Sequence, residues 1–368
     1  MTRADVIIIG GGIAGTSAGA RLAEHMSVLL LEAEPQLGYH STGRSAAIFI
    51  RNYGNTTLRA LNAASEPFFN QPDGVSDTSL LSPRGEMLVA EEDELDALAD
   101  YAAEACGIEH LTPDQAVDLV PILRRDRIAA AAIEWSAQDI DVDRMLAGYT
   151  RLMKARGGHI RTGQRVDGIT RQAGVWTIRS GPDTYEAPLI VNAAGAWAAE
   201  IARMAGASPI TLTPLRRSAA ILPAPAGHDI RNWPLFASAS ERWYAKPEAG
   251  KLMVSPADED PVEPHDAWPD DMVLAEGLHR YEQAVTVPVS RVETSWAGLR
   301  TFASDRTPVV GFDPAADGFF WLAGQGGYGV QTAPALSALC AAGCTGMTCA
   351  LPDAVRQALS PDRFPLRS

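Results

Sequence analysis

Lysine is almost missing from this chain of 368 residues: Lys154, Lys246 and Lys251 are the only three, and all Lys and Arg together number 31 against 45 Asp and Glu. The formal charge of -14 leaves no cationic excess to neutralise a phosphate backbone, so nucleic acid is excluded as a partner. Long apolar runs are missing too. Val6 to Ile9 and Val28 to Leu31 fall far short of the ~20 residues of a membrane span, and Asp5 comes too early for the apolar core of a signal peptide. Cysteine is sparse, and Cys106, Cys340, Cys344 and Cys349 form no evenly spaced disulfide framework, as in a reducing compartment. These absences predict a cytoplasmic protein with no membrane span. What is present, 46% apolar and 21% charged residues, is the composition of a soluble globular protein, and at ~150 residues per domain the length predicts two domains, or one large domain with an insert.

The first thirty residues carry the strongest local pattern. Asp5 to Gly10 is a short β-branched run expected of a buried parallel strand; Thr16 to His25 has the small and apolar residues of a helix packed on a sheet; Val28 to Glu32 reads as a second strand. Between strand and helix stands Gly10-Gly-Gly12-Ile-Ala-Gly15, with Glu32 closing the next strand. Gly10 permits the tight turn, Gly12 lets a pyrophosphate approach the backbone, and Gly15 brings helix and strand together, with the helix N-terminus facing the anion. Glu32 would accept from an adenosine ribose and repel a 2′-phosphate, which selects FAD or NAD over NADP. Two further glycine turns follow apolar strands, at Asn192 to Gly195 and at Gly324 to Thr332. Three such turns imply one long ligand, and a helix N-terminus at the last would stabilise negative charge on a reduced flavin. The polar stretch Gly38 to Ala47, read as entering a helix, offers hydroxyls, amides and Arg44 to the same cofactor.

Elsewhere, Glu91 to Ala103 reads as an exposed amphipathic helix, and Ser218 to Glu293 as a mixed sheet interrupted by a solvated acidic loop around Asp258 to Asp271. Three patterns carry no chemistry. Ser17 in Gly15-Thr-Ser-Ala-Gly19 lies inside the first helix, past any nucleophile elbow; Cys340 and Cys344 lack a second ligand pair; Asp258 to Glu263 lacks the spacing of a calcium loop. No metal site is expected.

In order along the chain, Gly10 to Gly15, His40 to Ser45, Leu80 to Met87, Val191 to Trp197, Arg216 to Ser218, Trp296 to Arg300 and Gln325 to Gly329 resemble the D-amino acid oxidase superfamily. The nearest likeness is to the bacterial D-arginine dehydrogenase and D-amino acid dehydrogenase group. The resemblance implies an α/β plus α+β fold: a Rossmann-like FAD-binding domain (residues 1–80, 141–215 and 295–368) and a mixed-sheet substrate-binding domain (81–140 and 216–294). It implies non-covalent FAD held by Gly10, Gly12, Ile13, Ala14, Gly15, Glu32 and Ala33; by Ser41, Thr42, Arg44, Ser45, Ala46 and Ala47; by Val166, Ala194, Gly195 and Trp197; and by Gly326, Gly327, Tyr328, Gly329, Val330, Gln331 and Thr332.

For the substrate, the resemblance implies that Arg217 and Arg300 bind its carboxylate, Tyr53 and Tyr244 add hydroxyl contacts, the Gly327 carbonyl holds the amino group, and Glu86 faces a cationic side chain. Ile48 and Ile50 stand where the arginine enzyme carries His and Thr, and with Leu235 and Ala237 in the lid they favour apolar side chains. The implied activity is oxidative deamination of D-amino acids, with quinone or oxygen as final acceptor. Sarcosine or glycine oxidation, a non-catalytic flavin protein and a nicotinamide dehydrogenase are the alternatives. No lysine falls in a cofactor motif, which favours a dehydrogenase over an oxidase.

Overall fold

The computed structural model describes residues 2–364; residue 1 and residues 365–368 of the expected first domain lie outside the described residues. The short apolar runs assemble a six-stranded sheet in the order His159–Arg161, Val28–Leu31, Val6–Ile9, Leu189–Asn192, Phe319–Ala323, Val309–Phe312. All neighbours are parallel except the last pair. Continuous apolar strands of this kind need cover on both faces. Val6, Ile8, Val28 and Leu30 point to one core, shared with the helices Ile13–Leu22, Val142–Ala155 and Gly329–Thr345. Ile7, Ile9, Leu29 and Leu31 point to the other, closed by Trp176, Ile178 and Tyr185 of a four-stranded sheet. This is the expected Rossmann-like half of an α/β plus α+β fold.

The other half is a nine-stranded mixed sheet in which Leu212–Leu222 and Thr294–Ala303 run antiparallel over ten residue pairs. Its one parallel pair joins Leu235–Ser238 to Glu86–Ala90. Alternation sorts its two faces. Met87, Phe236, Ala245, Val254 and Ala220 point to a core under the helix Asp271–Ala284. The opposite side chains, among them Arg217, Ala219, Tyr244, Met253, Trp296 and Arg300, point towards the nucleotide half and line a cleft between the two sheets.

Three local expectations are corrected. The first helix spans Ile13–Leu22, starting three residues before the predicted Thr16, because Gly12 serves as its N-cap. The polar stretch does not enter a helix directly: it forms a single 3-10 turn, Ser41–Arg44, Ala47 (φ 56°) turns the chain into the strand Ile48–Phe49, and the next helix starts only at Thr56. Leu235 and Ala237 belong to a buried strand of the large sheet and form no lid. No helix among the described residues is long and apolar enough to cross a membrane.

Candidate functional site

The cleft runs from Glu32 and Val166 at one end, past the first glycine turn, to Arg217, Tyr244 and Arg300 at the other. Its floor is set by close backbone approaches. A Cβ on Gly10 would lie 2.3 Å from the Ala193 carbonyl oxygen, and one on Gly15 1.9 Å from that of Gly10, so neither position accepts a larger residue. Gly15 therefore shapes the turn without lining the cleft. No side chain caps the helix at Gly12; Thr42 Oγ1 accepts from the Ile13 amide at 3.0 Å and draws the 38–46 segment onto the turn. Glu32 is fixed by two amides, accepting from Gly11 at 2.6 Å and from Glu34 at 2.8 Å.

A helix N-terminus whose first amide alone is taken, by Thr42, a glycine cradle and a carboxylate held after the second strand suit a dinucleotide. Thr301 also lines the cleft, and its Oγ1 is buried without a partner among the described residues. Ile13, Ala14, Ala33, Ser41, Thr42, Ser45, Ala46, Val166, Ala194, Gly195, Trp197, Gly326, Gly327, Gly329 and Val330 also line the cleft.

Several residues expected in the cofactor set are engaged elsewhere. Arg44 borders the cleft, but its guanidinium donates to the Ala267 and Ala297 carbonyls, each at 3.0 Å, and to Asp266, which also accepts from Tyr39. It clasps the large-sheet half and is not free for a pyrophosphate. Gln331 donates to Asn62 Oδ1 and accepts from the Ile50 amide, Thr332 donates to the Tyr328 carbonyl, and Tyr328 packs on Tyr53 at 4.7 Å. With Ala47, these three lie outside the lining; Gln331 and Tyr328 pin the last helix to residues 50–53, and Thr332 bonds back within the helix.

At the substrate end the two arginines differ. Arg217 is buried, donating from Nε to the Asp258 carbonyl at 2.9 Å and from Nη2 to Glu259 at 3.0 Å, with its guanidinium 6.0 Å over the Tyr244 ring. Arg300 pairs with no carboxylate among the described residues. Burial works against its charge, but Tyr53, Tyr244 and Glu241 outweigh burial and hold it more firmly protonated than an ordinary arginine. A Cβ on Gly327 would lie 2.9 Å from Arg300 Nη1, so the last glycine turn rests on this guanidinium.

Tyr53, Ile48, Ile50 and Glu86 do not line the cleft. Ile48 packs against the buried cluster of Leu88, Leu98, Leu235 and Ala237, and Ile50 is buried, its amide donating to Gln331. Glu86 is buried directly opposite Glu134 on the neighbouring strand, and the Tyr101 hydroxyl donates to both, at 3.2 and 3.3 Å. Burial, then the Glu134 charge, pushes the Glu86 carboxyl up to about 8, against the Tyr101 hydrogen bond.

Sequence reasoning missed Asp258 and Glu259 by treating their acidic stretch as solvated. Asp258 is buried, accepting from the Ser218 amide and hydroxyl at 2.6 and 2.8 Å. Its adjacency to Arg216 and Arg217 exists only in the fold, about forty residues away along the chain, so the sequence held no signal for it. Thr301, beside the expected Arg300, was also missed.

Residues 5–342 match the DAO family, described as FAD dependent oxidoreductase. The chain is 24% identical over 396 residues to FAD-dependent oxidoreductase domain-containing protein 1 of Xenopus laevis, covering 91% of this chain and 77% of that one. It is also 24% identical to the glycine oxidase of Geobacillus kaustophilus, covering 90% of each. The crystal structure of glycine oxidase from Geobacillus kaustophilus superposes with a TM-score of 0.83 at 21% identity, over 96% of this chain and 97% of the other. L-proline dehydrogenase from P. horikoshii superposes with a TM-score of 0.82 at 20% identity over the whole of both chains. Together with a cleft built around a dinucleotide cradle, the family match gives the identity: this chain belongs to the DAO family of FAD-dependent oxidoreductases.

Proposed function

We propose that the protein oxidises D-amino acids, removing hydride from the α-carbon and a proton from the amino nitrogen to give an imino acid, which water hydrolyses to a 2-oxo acid and ammonia. The observation that carries this reading is Arg300, a guanidinium without a carboxylate partner among the described residues, on the same sheet face as Arg217 and in contact with the Gly326-Gly327 turn. Two rigid forks suit a carboxylate better than ammonium groups do. FAD bound in the cleft supplies a two-electron acceptor at its N5 position.

The chain's own part is positioning. Arg217 and Arg300 fix the carboxylate, the Gly327 carbonyl holds the amino group, and Tyr244 closes the pocket beside Arg217. No side chain caps the helix that begins at Gly329, so its N-terminal partial charge is available to developing negative charge. With one face taken by the flavin and the carboxylate pinned, one hand of substrate presents its α-hydrogen with the side chain turned away. No basic side chain stands at the reacting carbon, so the amine binds or becomes neutral there. Glu86, neutral below about pH 8, offers no counter-charge to a guanidinium, so D-Leu, D-Met and D-Phe rank ahead of D-Arg.

The acceptor is oxygen or a quinone. The dehydrogenase reading is favoured because Lys154 and Lys251 are exposed and Lys246, although buried, is paired with Asp139 at 3.0 Å and Glu248 at 2.9 Å. We assign residues 2–80, 141–211 and 304–364 to the FAD-binding domain and 81–140 and 212–303 to the substrate domain; the boundaries expected at 215 and 295 shift because Leu212–Leu222 and Thr294–Ala303 pair over ten residues in the large sheet.

One observation favours a second reading, oxidation of glycine or sarcosine: the residues expected to receive a side chain, Glu86, Ile48 and Ile50, lie outside the cleft lining. Anaerobic mixing of the flavoprotein with D-leucine, L-leucine, glycine and sarcosine separates the readings by flavin bleaching. D-Leucine is expected to bleach fastest. Faster bleaching by L-leucine refutes the handedness, bleaching by glycine and sarcosine alone selects the second reading, and bleaching by none removes both.

A further inference from the structure

Glu259 does not line the cleft, yet it holds a residue that does. Its Oε1 accepts from Arg217 Nη2 at 3.0 Å and from Arg306 Nη2 at 2.9 Å, and its Oε2 accepts from Arg306 Nη1 at 3.0 Å. Arg306 thus grips the carboxylate with a two-bond fork and leaves one oxygen shared with Arg217. Arg306 is itself fixed: its backbone is left-handed (φ 56°), and its guanidinium carbon lies 4.0 Å from the centre of the Phe302 ring. Partial burial opposes ionisation of Glu259, but the Arg306 fork and the charges of Arg217 and Arg300 hold its carboxyl below the usual range.

We propose that Glu259, gripped by Arg306, is a positioning and specificity residue: it orients the Arg217 fork and lowers the positive potential at the substrate end, so that ligands with one carboxylate are preferred over dicarboxylates. The inference rests on the carboxylate clamp proposed above. Arg217 Nε and one Nη2 hydrogen are committed to Asp258 and Glu259, which turns Nη1 and the rest of the fork to the cleft. Arg300 has no carboxylate partner among the described residues, although Tyr53 and the Gly327 turn lie against its guanidinium. A unit charge added or removed behind Arg217 acts once on a monoanion and twice on a dianion, so the ratio of their affinities reports that charge.

The test uses the FAD-loaded protein and needs no turnover. Acetate and malonate are titrated separately, and each Kd is read from perturbation of the flavin absorption spectrum. Glu259→Gln is expected to tighten malonate relative to acetate by about tenfold. Arg306→Gln breaks the same ion pair but removes a positive charge, and is expected to shift the ratio at least threefold in the opposite sense. Glu259→Asp, which keeps the charge, should leave the ratio within twofold of the unaltered protein. A purely structural Glu259 would move both charge variants alike; a shift in the same direction, or below threefold in either, overturns the proposal. Arg217→Ala isolates the clamp. If acetate and malonate bind it as they bind the unaltered protein, the clamp fails and the role of Glu259 with it; if both weaken while the charge variants fail to diverge, only the role of Glu259 is lost.

Discussion

Replacing Glu86 by Gln tests whether the buried carboxyl pair on the large sheet carries a proton. Glu134 accepts from the Arg51 amide, Asn52, Ser136 and Tyr101, whereas Glu86 accepts from Tyr101 alone, so the shared proton belongs on Glu86. With its pKa raised from the ordinary 4.5 to about 8, the folded protein keeps a proton that the unfolded chain releases. Between those values the folded state binds more protons, so stability falls as pH rises. The slope is about 1.4 kcal/mol per pH unit, and across the full window the loss approaches roughly 5 kcal/mol. Glu86→Gln is neutral at every pH and nearly the same shape, so it lacks this loss, while titrations common to both proteins cancel in their difference.

The assay is urea unfolding of both proteins at pH 5.5, 7.0 and 8.5, with FAD in the same excess. The stability difference is expected to grow in favour of the variant by about 3 kcal/mol from the lowest to the highest pH. A difference constant to within about 0.5 kcal/mol would show that Glu86 is ionised throughout, and the account of this pair would be wrong.

Arg300→Ala is expected to lower kcat/KM by ~30-fold to thousands-fold, the ~2–5 kcal/mol of a charge-assisted contact in a desolvated site, while FAD affinity changes little. Arg217→Ala should cost less, because that guanidinium is already shared with Asp258 and Glu259; steady-state kinetics beside FAD titration would check both. Gly15→Ala places a methyl 1.9 Å from the Gly10 carbonyl oxygen, and gel filtration should show FAD lost together with a lower melting temperature. No Cys or His lies between Trp296 and Ala333, so heat or acid should release all yellow colour, and colour left on the denatured chain would contradict non-covalent binding.

The first strand, glycine turn and second strand were legible because their pattern is local: β-branched residues, close backbone approach and a strand-end carboxylate all fall within thirty residues. The bonds of Arg44 to Asp266, Ala267 and Ala297 were not legible because these partners lie more than two hundred positions away, where periodicity carries no information. Asp258 and Glu259 looked like a solvated loop because composition cannot show that the chain folds back onto Ser218 and Arg217. The position of Glu86 beside Glu134 depends on which strands pair, and that is a property of the whole sheet. Ala47 adopts a left-handed backbone with no glycine to announce it.

The long pairing of Leu212–Leu222 with Thr294–Ala303 sets Arg217 opposite Gly298 and Leu215 opposite Arg300. A one-residue slip would turn one arginine to the far face of the sheet, and a two-residue slip would move the pair apart by roughly 7 Å along the strand. The spacing of the two cations is therefore a matter of strand alignment between segments about eighty residues apart, a contact that costs chain entropy to close. The nucleotide half closes over longer separations still, Val6 against Leu189 and Ile190 against Phe319, and the cleft takes lining from both halves. In refolding, flavin binding and activity should therefore return together, and flavin binding well ahead of activity would contradict this.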